Sequence, residues 1–258
     1  MMKYLLFEFY KIRNRKWLLI FLGIITILLP IITRILTNLN FTSGHTTEGQ
    51  YLEHAAYGII SFSTFYLFLP VWILIVIGIE FTNGHYSLVI FHKSHWFYFC
   101  SKVSYCLMVS VYFSVLGLIS LLIIQKTAPF SITTSVSVFI EFFIQAFITF
   151  FSLSLFQLLI IFFTRSPIIG FIVYFFISFG ERMVYTILIK IYSIDLFYLP
   201  FHLLNSFYVR SGDVKMENYY NPFFEFDSSV IIQPFFLLFV LGLTYQWLIK
   251  RDVKALSD

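Results

Sequence analysis

The chain has 258 residues, of which 59% are hydrophobic and 12% charged, with a net charge of +4. Soluble domains carry roughly 25% charged residues, so this composition, with a mean hydropathy of +0.87, excludes an ordinary soluble protein. The apolar residues come in runs of about 20, the length a helix needs to cross a bilayer core, which predicts an all-α, polytopic membrane protein. A transmembrane β-barrel would alternate over segments of roughly ten residues, and no such pattern occurs. The basic excess reads as a topology signal, because no basic-aromatic nucleic-acid module is present.

Residues 1–16 contain Lys3, Lys11, Arg13, Arg15 and Lys16, with Leu5, Leu6, Phe9 and Ile12 at helical spacing. This pattern predicts an amphipathic helix in the membrane interface. The first apolar run is too long for a cleavable signal and lacks a small-residue cleavage site. Span 1 is expected at about 17–37, with a kink at Pro30 and Arg34 near its far end. The loop from Asn38 to His54 has two acids, Glu48 and Glu53, and no Lys or Arg. Span 2 is expected at about 56–79, with Pro70 inside it. A polar island follows, from Glu80 to Ser101. Span 3 is expected at about 102–124, where Ser110, Ser114 and Gly117 would share a face and let a neighbouring helix approach.

Span 4 is expected at about 141–163. Thr164-Arg165-Ser166-Pro167 is a tight turn, so spans 4 and 5 should be antiparallel neighbours. Span 5 is expected at about 168–190. It carries Glu181 and Arg182, charges that are expensive in a bilayer and usually face the bundle or water. Two readings follow. Span 5 ends early and leaves both charges in the outer interface, or one of them lines a pathway or outer gate with Glu141, Gln145 or Arg34 as candidate partners. An aromatic-rich extracytoplasmic segment is expected at about 191–228, and span 6 at about 230–249, with Pro234 in its first turns. Lys250, Arg251 and Lys254 close the chain.

Six spans place both termini on one side. Eleven of the Lys and Arg residues fall on that side and six on the other. The positive-inside rule puts both termini and the polar island in the cytoplasm. No second soluble domain is visible, so the chain is one membrane domain.

Much chemistry is absent. There is no Gly-x-x-x-x-Gly-Lys-Ser/Thr phosphate loop and no His-Glu-x-x-His, and no Gly-x-Ser-x-Gly elbow. Cys100 and Cys106 lie about 9 Å apart on a helix, too far for a disulfide. His85, His92 and His95 cluster in the island, but no cysteine or carboxylate triad completes a metal site. An intramembrane protease of the glutamate type would need a second carboxylate or a His array beside Glu181. No catalytic residue and no metal ligand is assigned.

At the island the chain resembles the ABC-2-type transporter permeases. The pattern is Glu80, then Gly84, then the apolar Leu88-Val89-Ile90. A small-plus-basic break follows at Lys93-Ser94-His95-Trp96, and Ser101-Lys102 opens span 3. Phe7-Glu8-Phe9-Tyr10-Lys11-Ile12-Arg13 is similar to the family's interfacial entry helix, and Trp247-Leu248-Ile249-Lys250-Arg251 to its basic exit. The chain departs from the family at His85, where Thr is common, and at His95, where Arg is common. The resemblance implies six transmembrane helices and a cytoplasmic coupling helix at about 82–98, between spans 2 and 3. It implies ATPase-coupling roles for Glu80, Asn83, Gly84, His85, Leu88, Lys93 and Trp96. It further implies a separate cytoplasmic ATP-binding cassette ATPase that holds ATP and Mg, with no cofactor on this chain. A second membrane subunit, preferably another copy of this chain, would complete a pathway between spans 1, 2 and 5. The resemblance also implies a bacterial plasma membrane as the location and export of a hydrophobic or amphipathic molecule, such as a peptide, toxin, antibiotic or lipid-like compound, as the activity. The alternatives are an intramembrane enzyme and a non-transporting membrane scaffold.

Overall fold

The computed structural model describes residues 2–13, 16–43, 51–65, 68–82, 95–132, 134–192 and 229–255. All regular structure among these residues is helical, with no strand. Helix α1 (Met2–Arg13) precedes α2 (Lys16–Thr42), which is helical without a break through Pro30. Next come α3 (Tyr51–Phe65), α4 (Phe68–Pro70), a π-helical turn (Val71–Ile75) and α5 (Val76–Thr82). Then follow α6 (His95–Lys126), α7 (Val136–Thr164), α8 (Pro167–Tyr192) and α9 (Ser229–Ala255).

Among the described residues, four helices are long and apolar enough to cross a membrane: Leu19–Thr42 within α2, α6, α7, and Pro167–Val184 within α8. Two further apolar stretches are shorter, Val71–Phe81 and Ile231–Trp247. The helix that carries the start of the span expected at 56–79 begins earlier, at Tyr51, and the helical register changes after Pro70. Proline has no N–H to give the ladder, and its ring crowds the carbonyl one turn back. A wider π turn after it accommodates both.

Two observations concern helix ends. Of the coupling segment expected at 82–98, Thr82 closes α5 and His95–Tyr98 form the first turn of α6, continuous with span 3; residues 83–94 lie outside the described residues. The extracytoplasmic segment from residue 193 to 228 also lies outside them. Helix α8 runs unbroken past Glu181 and Arg182 to Tyr192, and its apolar stretch, Pro167–Val184, contains both charges. Among apolar neighbours the helix keeps its backbone bonds satisfied and carries the two charges with it.

The helices run alternately between two ends of the bundle. At one end Phe41, Tyr51 and Phe130 meet, with centroids 5.0–5.7 Å apart, joining the end of α2, the start of α3 and the loop between α6 and α7. At the other end Phe81, Tyr98, Phe162 and Tyr245 join the end of α5, the start of α6, the end of α7 and the end of α9. Arg165 adopts the left-handed conformation (φ 52°), and its N–H donates to the Ile161 carbonyl at 2.8 Å. Pro167 then opens α8, a first-turn position that needs no N–H donor.

Helix α7 is central. In its apolar stretch 72% of residues are buried, against 17% in α2. The small-residue face of α6 meets α7 and α3. Ser110 Oγ lies 3.3 Å from Ser154 Oγ. A Cβ on Gly117 would lie 3.1 Å from Ile59 and 3.4 Å from Phe142. With lipid outside, burial of apolar surface cannot drive helices together, so close approach and hydrogen bonds must.

Helices α5 and α8 touch at Gly78, where a Cβ would lie 2.8 Å from Pro167 Cβ and 3.0 Å from its Cα. Proline cannot rotate away. Gly78→Ala is expected to destabilise the protein by about 1–3 kcal/mol. Gly242→Ala, where nothing lies within 4 Å, should not. Thermal unfolding of both variants in one detergent checks the contrast.

Candidate functional site

The site begins with an inverted amphipathic helix. On α1, Leu6, Phe9 and Tyr10 are exposed, while Glu8 is 1% exposed. A helix in water would do the reverse. This one turns its acid inward because its partner waits on α6. Lys102, fully buried two turns into α6, places its Nζ 2.8 Å from Glu8 Oε1 and 2.7 Å from Glu80 Oε2. Glu80 is itself 2% exposed and stands near the end of α5. One ammonium thus joins carboxylates 94 residues and 22 residues away in the chain.

Hydroxyls and rings complete the surroundings. Ser101 Oγ donates to Glu8 Oε1. The Tyr98 hydroxyl donates to Glu80 Oε2 over 3.4 Å. Lys102 Nζ also lies 5.1 Å from the Tyr98 ring centroid and 6.0 Å from that of Tyr105, near enough for cation–π attraction. Phe7 packs edge-on against Phe97, with centroids 5.4 Å apart, and seals α1 to the first turn of α6.

Of the expected coupling residues, Glu80 is this buried partner, and Trp96 stands 57% exposed on the first turn of α6. Asn83, Gly84, His85, Leu88 and Lys93 lie outside the described residues. Of the expected pathway residues, Glu181 is buried and shares a face of α8 with Tyr174 and Ser178, which are also buried. Arg182 and Glu141 are half-buried, and Arg34 is exposed. The two described ion pairs both converge on Lys102.

No family model matches the chain, and no curated protein or solved structure matches it. Its function therefore rests on its own residues and geometry.

The family resemblance implies a coupling role for Glu80 but names no partner for it within the chain. The partner is Lys102 of the same chain, and Glu8 shares it. One signal was present. Glu8 is the only acid before Glu48, set among five basic residues. A lone acid on a basic interfacial helix marks the side that meets a cation.

Another buried acid stands at the opposite end. Glu53, in the first turn of α3, is 5% exposed, and burial pushes its carboxyl up to about 8. A raised carboxyl means the folded protein prefers the neutral acid. That stability is fully present below the ordinary value of 4.5 and is lost as pH rises through about 8.

Lys102→Met would take the ammonium from between two buried carboxylates, an expected loss of about 3–5 kcal/mol. Glu8→Gln leaves Lys102 its Glu80 partner and should cost less, about 1.5–3 kcal/mol. Denaturation of the two variants in parallel checks the order, and equal losses would remove Lys102 from the centre of the site. Glu53→Gln is expected to raise the Tm by about 2–4 °C at pH 9 and to leave it unchanged at pH 4, as a pH series of melting curves would show.

Proposed function

We propose that the chain is the membrane subunit of an ABC-2-type transporter. In this reading it exports a hydrophobic or amphipathic substrate across a bacterial plasma membrane. The ATP is hydrolysed, with Mg, by a separate cytoplasmic ATP-binding cassette subunit. The observation that carries the reading is the Glu8–Lys102–Glu80 joint. Glu80 closes one side of the segment 83–94, and Lys102 stands two turns beyond its other side. The ion pairs tie both flanks to each other and to the interfacial helix.

A permease with no phosphate loop must receive its force from outside. A force applied to residues 83–94 reaches α5 and α6 together when their ends are clamped, because buried ion pairs resist separation. In this reading the apolar runs make six spans, and the charge distribution puts the termini and the joint on the cytoplasmic side. The exposed Trp96 meets the partner in this reading. A second copy of the chain completes the pathway, and the charges at Arg34, Glu141, Glu181 and Arg182 line its outer part. Export of a peptide, toxin, antibiotic or lipid-like molecule fits the largely apolar helix surfaces.

The test is reconstitution with the ATP-binding cassette subunit that copurifies from native membranes. Glu80→Ala and Gly84→Pro are each expected to reduce the permease's stimulation of ATP hydrolysis on the order of tenfold, with the complex still assembled. If no such subunit copurifies, or if both variants stimulate normally, the chain is not the coupled permease described here. Copurification without stimulation would favour a scaffold.

A further inference from the structure

The last helix touches the start of α6 at one polar contact, which the coupling reading leaves unused. The Tyr245 hydroxyl donates to the His95 backbone carbonyl at 2.8 Å. Tyr245 is 1% exposed. Its ring lies 5.0 Å from Phe99 and 5.2 Å from Phe162, centroid to centroid. Phe162 in turn meets Phe81 at 6.0 Å, and Phe81 meets Tyr98 at 6.2 Å. Tyr98 is the residue that bonds Glu80 and lies under Lys102.

His95, Tyr98 and Lys102 recur at i, i+3 and i+7, so they share one face of α6. A group held at His95 therefore sets the rotation and height of that face, and with it the position of the Lys102 ammonium. Tyr245 holds it from α9, a helix that contributes no charge to the ion pairs. The first carbonyls of a helix already accept from within it, so the Tyr245 hydroxyl adds a second donor. Its effect is to anchor an end that would otherwise fray.

We propose that Tyr245 is a positioning residue, which latches the C-terminal helix to the first turn of α6 and thereby holds Lys102 between Glu8 and Glu80. Its coupling role rests on the transporter reading. The latch itself does not.

The chain carries its own probes. Cys100 lies on α6 between His95 and Lys102 and is half-buried, while Cys106 is fully buried against Ser154. Alkylation of the full chain in lipid nanodiscs by N-ethylmaleimide, followed by mass spectrometry, reads both thiols at once. Tyr245→Phe keeps the ring contacts and removes only the hydroxyl. It is expected to raise the Cys100 rate about fivefold, the effect of losing one hydrogen bond on a local opening, with the Cys106 rate unchanged. Tyr245→Leu removes the rings as well and should raise the Cys100 rate further. An unchanged Cys100 rate in Tyr245→Phe overturns the latch, and so does an equal rise at both thiols, which would mean general loosening. In the complex with the ATPase, Tyr245→Phe is expected to lower the stimulated kcat and leave the KM for ATP unchanged. If no ATPase associates, the thiol result still decides the latch. If the thiols report the latch and kcat does not move, Tyr245 does not position the joint for coupling.

Discussion

Everything at one end of the bundle depends on keeping a single ammonium from being alone. Removing a lysine from water costs several kcal/mol even after relaxation. Lys102 is fully buried and recovers that cost only where carboxylates stand within direct contact. Neither carboxylate lies on its own helix. The interfacial helix must present Glu8, and α5 must end with Glu80 at the right height. The three helix ends are therefore mutually required, and none can take its place without the others. This constraint explains the orientation of α1, whose apolar residues point outward while its acid points in.

The rest of the bundle follows rules set by lipid. Exposed faces of α2, α8 and α9 carry Ile27, Phe176 and Phe235, each more than 60% exposed, and in a bilayer these face hydrocarbon without penalty. The interior is where polar atoms collect. Ser110 and Ser114 return their hydroxyls to carbonyls one turn earlier at 2.7 Å, so each small residue shortens the approach without leaving a donor idle. The Tyr112 hydroxyl meets Thr26 Oγ1 at 2.6 Å and ties α6 to α2 just ahead of Pro30. Aromatic contacts fill what remains, most densely where Phe81, Phe162 and Tyr245 enclose the ionic joint.

Hydropathy made most of the elements legible, because twenty apolar residues leave few alternatives to a helix. The regions expected as spans 1, 3, 4 and 5 lie within the four long helices, and α7 and α8 are joined by the short turn that Thr164-Arg165-Ser166-Pro167 announced. The interruption after Pro70 was less legible. Proline marks a disturbance but not its form, and a π turn depends on how the helix packs against α7 and α8. The extension of α6 back to His95 was hidden because hydropathy falls before Lys102, while helical backbone does not require apolar side chains. Burial of Glu181 also escaped the composition, which sees a charge but not the face it occupies. Least legible was Glu8. Contacts across 94 residues leave no periodic trace, and only the isolation of one acid among basic neighbours hinted at a pairing.

The depth of the joint decides how it can work under the proposed function. Helix α6 has 32 residues, about 48 Å at 1.5 Å per residue, against a hydrocarbon core of about 30 Å. Lys102 precedes Lys126 by 24 residues, about 36 Å along the helix axis. When Lys126 lies at one boundary and the helix stands near the membrane normal, Lys102 lies past the other, at headgroup depth. Charge costs less there than at the bilayer centre, so the ion pairs need not be held by an extreme desolvation balance. The aromatic ring contacts nevertheless keep the site dry, which keeps the attraction stronger than an exposed pair would have. A joint of this kind is stiff without being irreversible. Further along the same path, α5 is pinned to α8 by Gly78 against Pro167, and the chain widens into the π turn at Val71–Ile75. Displacement applied beyond Thr82 therefore meets a clamped end first and the irregular turn last. The turn has the weaker backbone register of the two, and it is there that α5 can move relative to α3 without breaking the ionic joint.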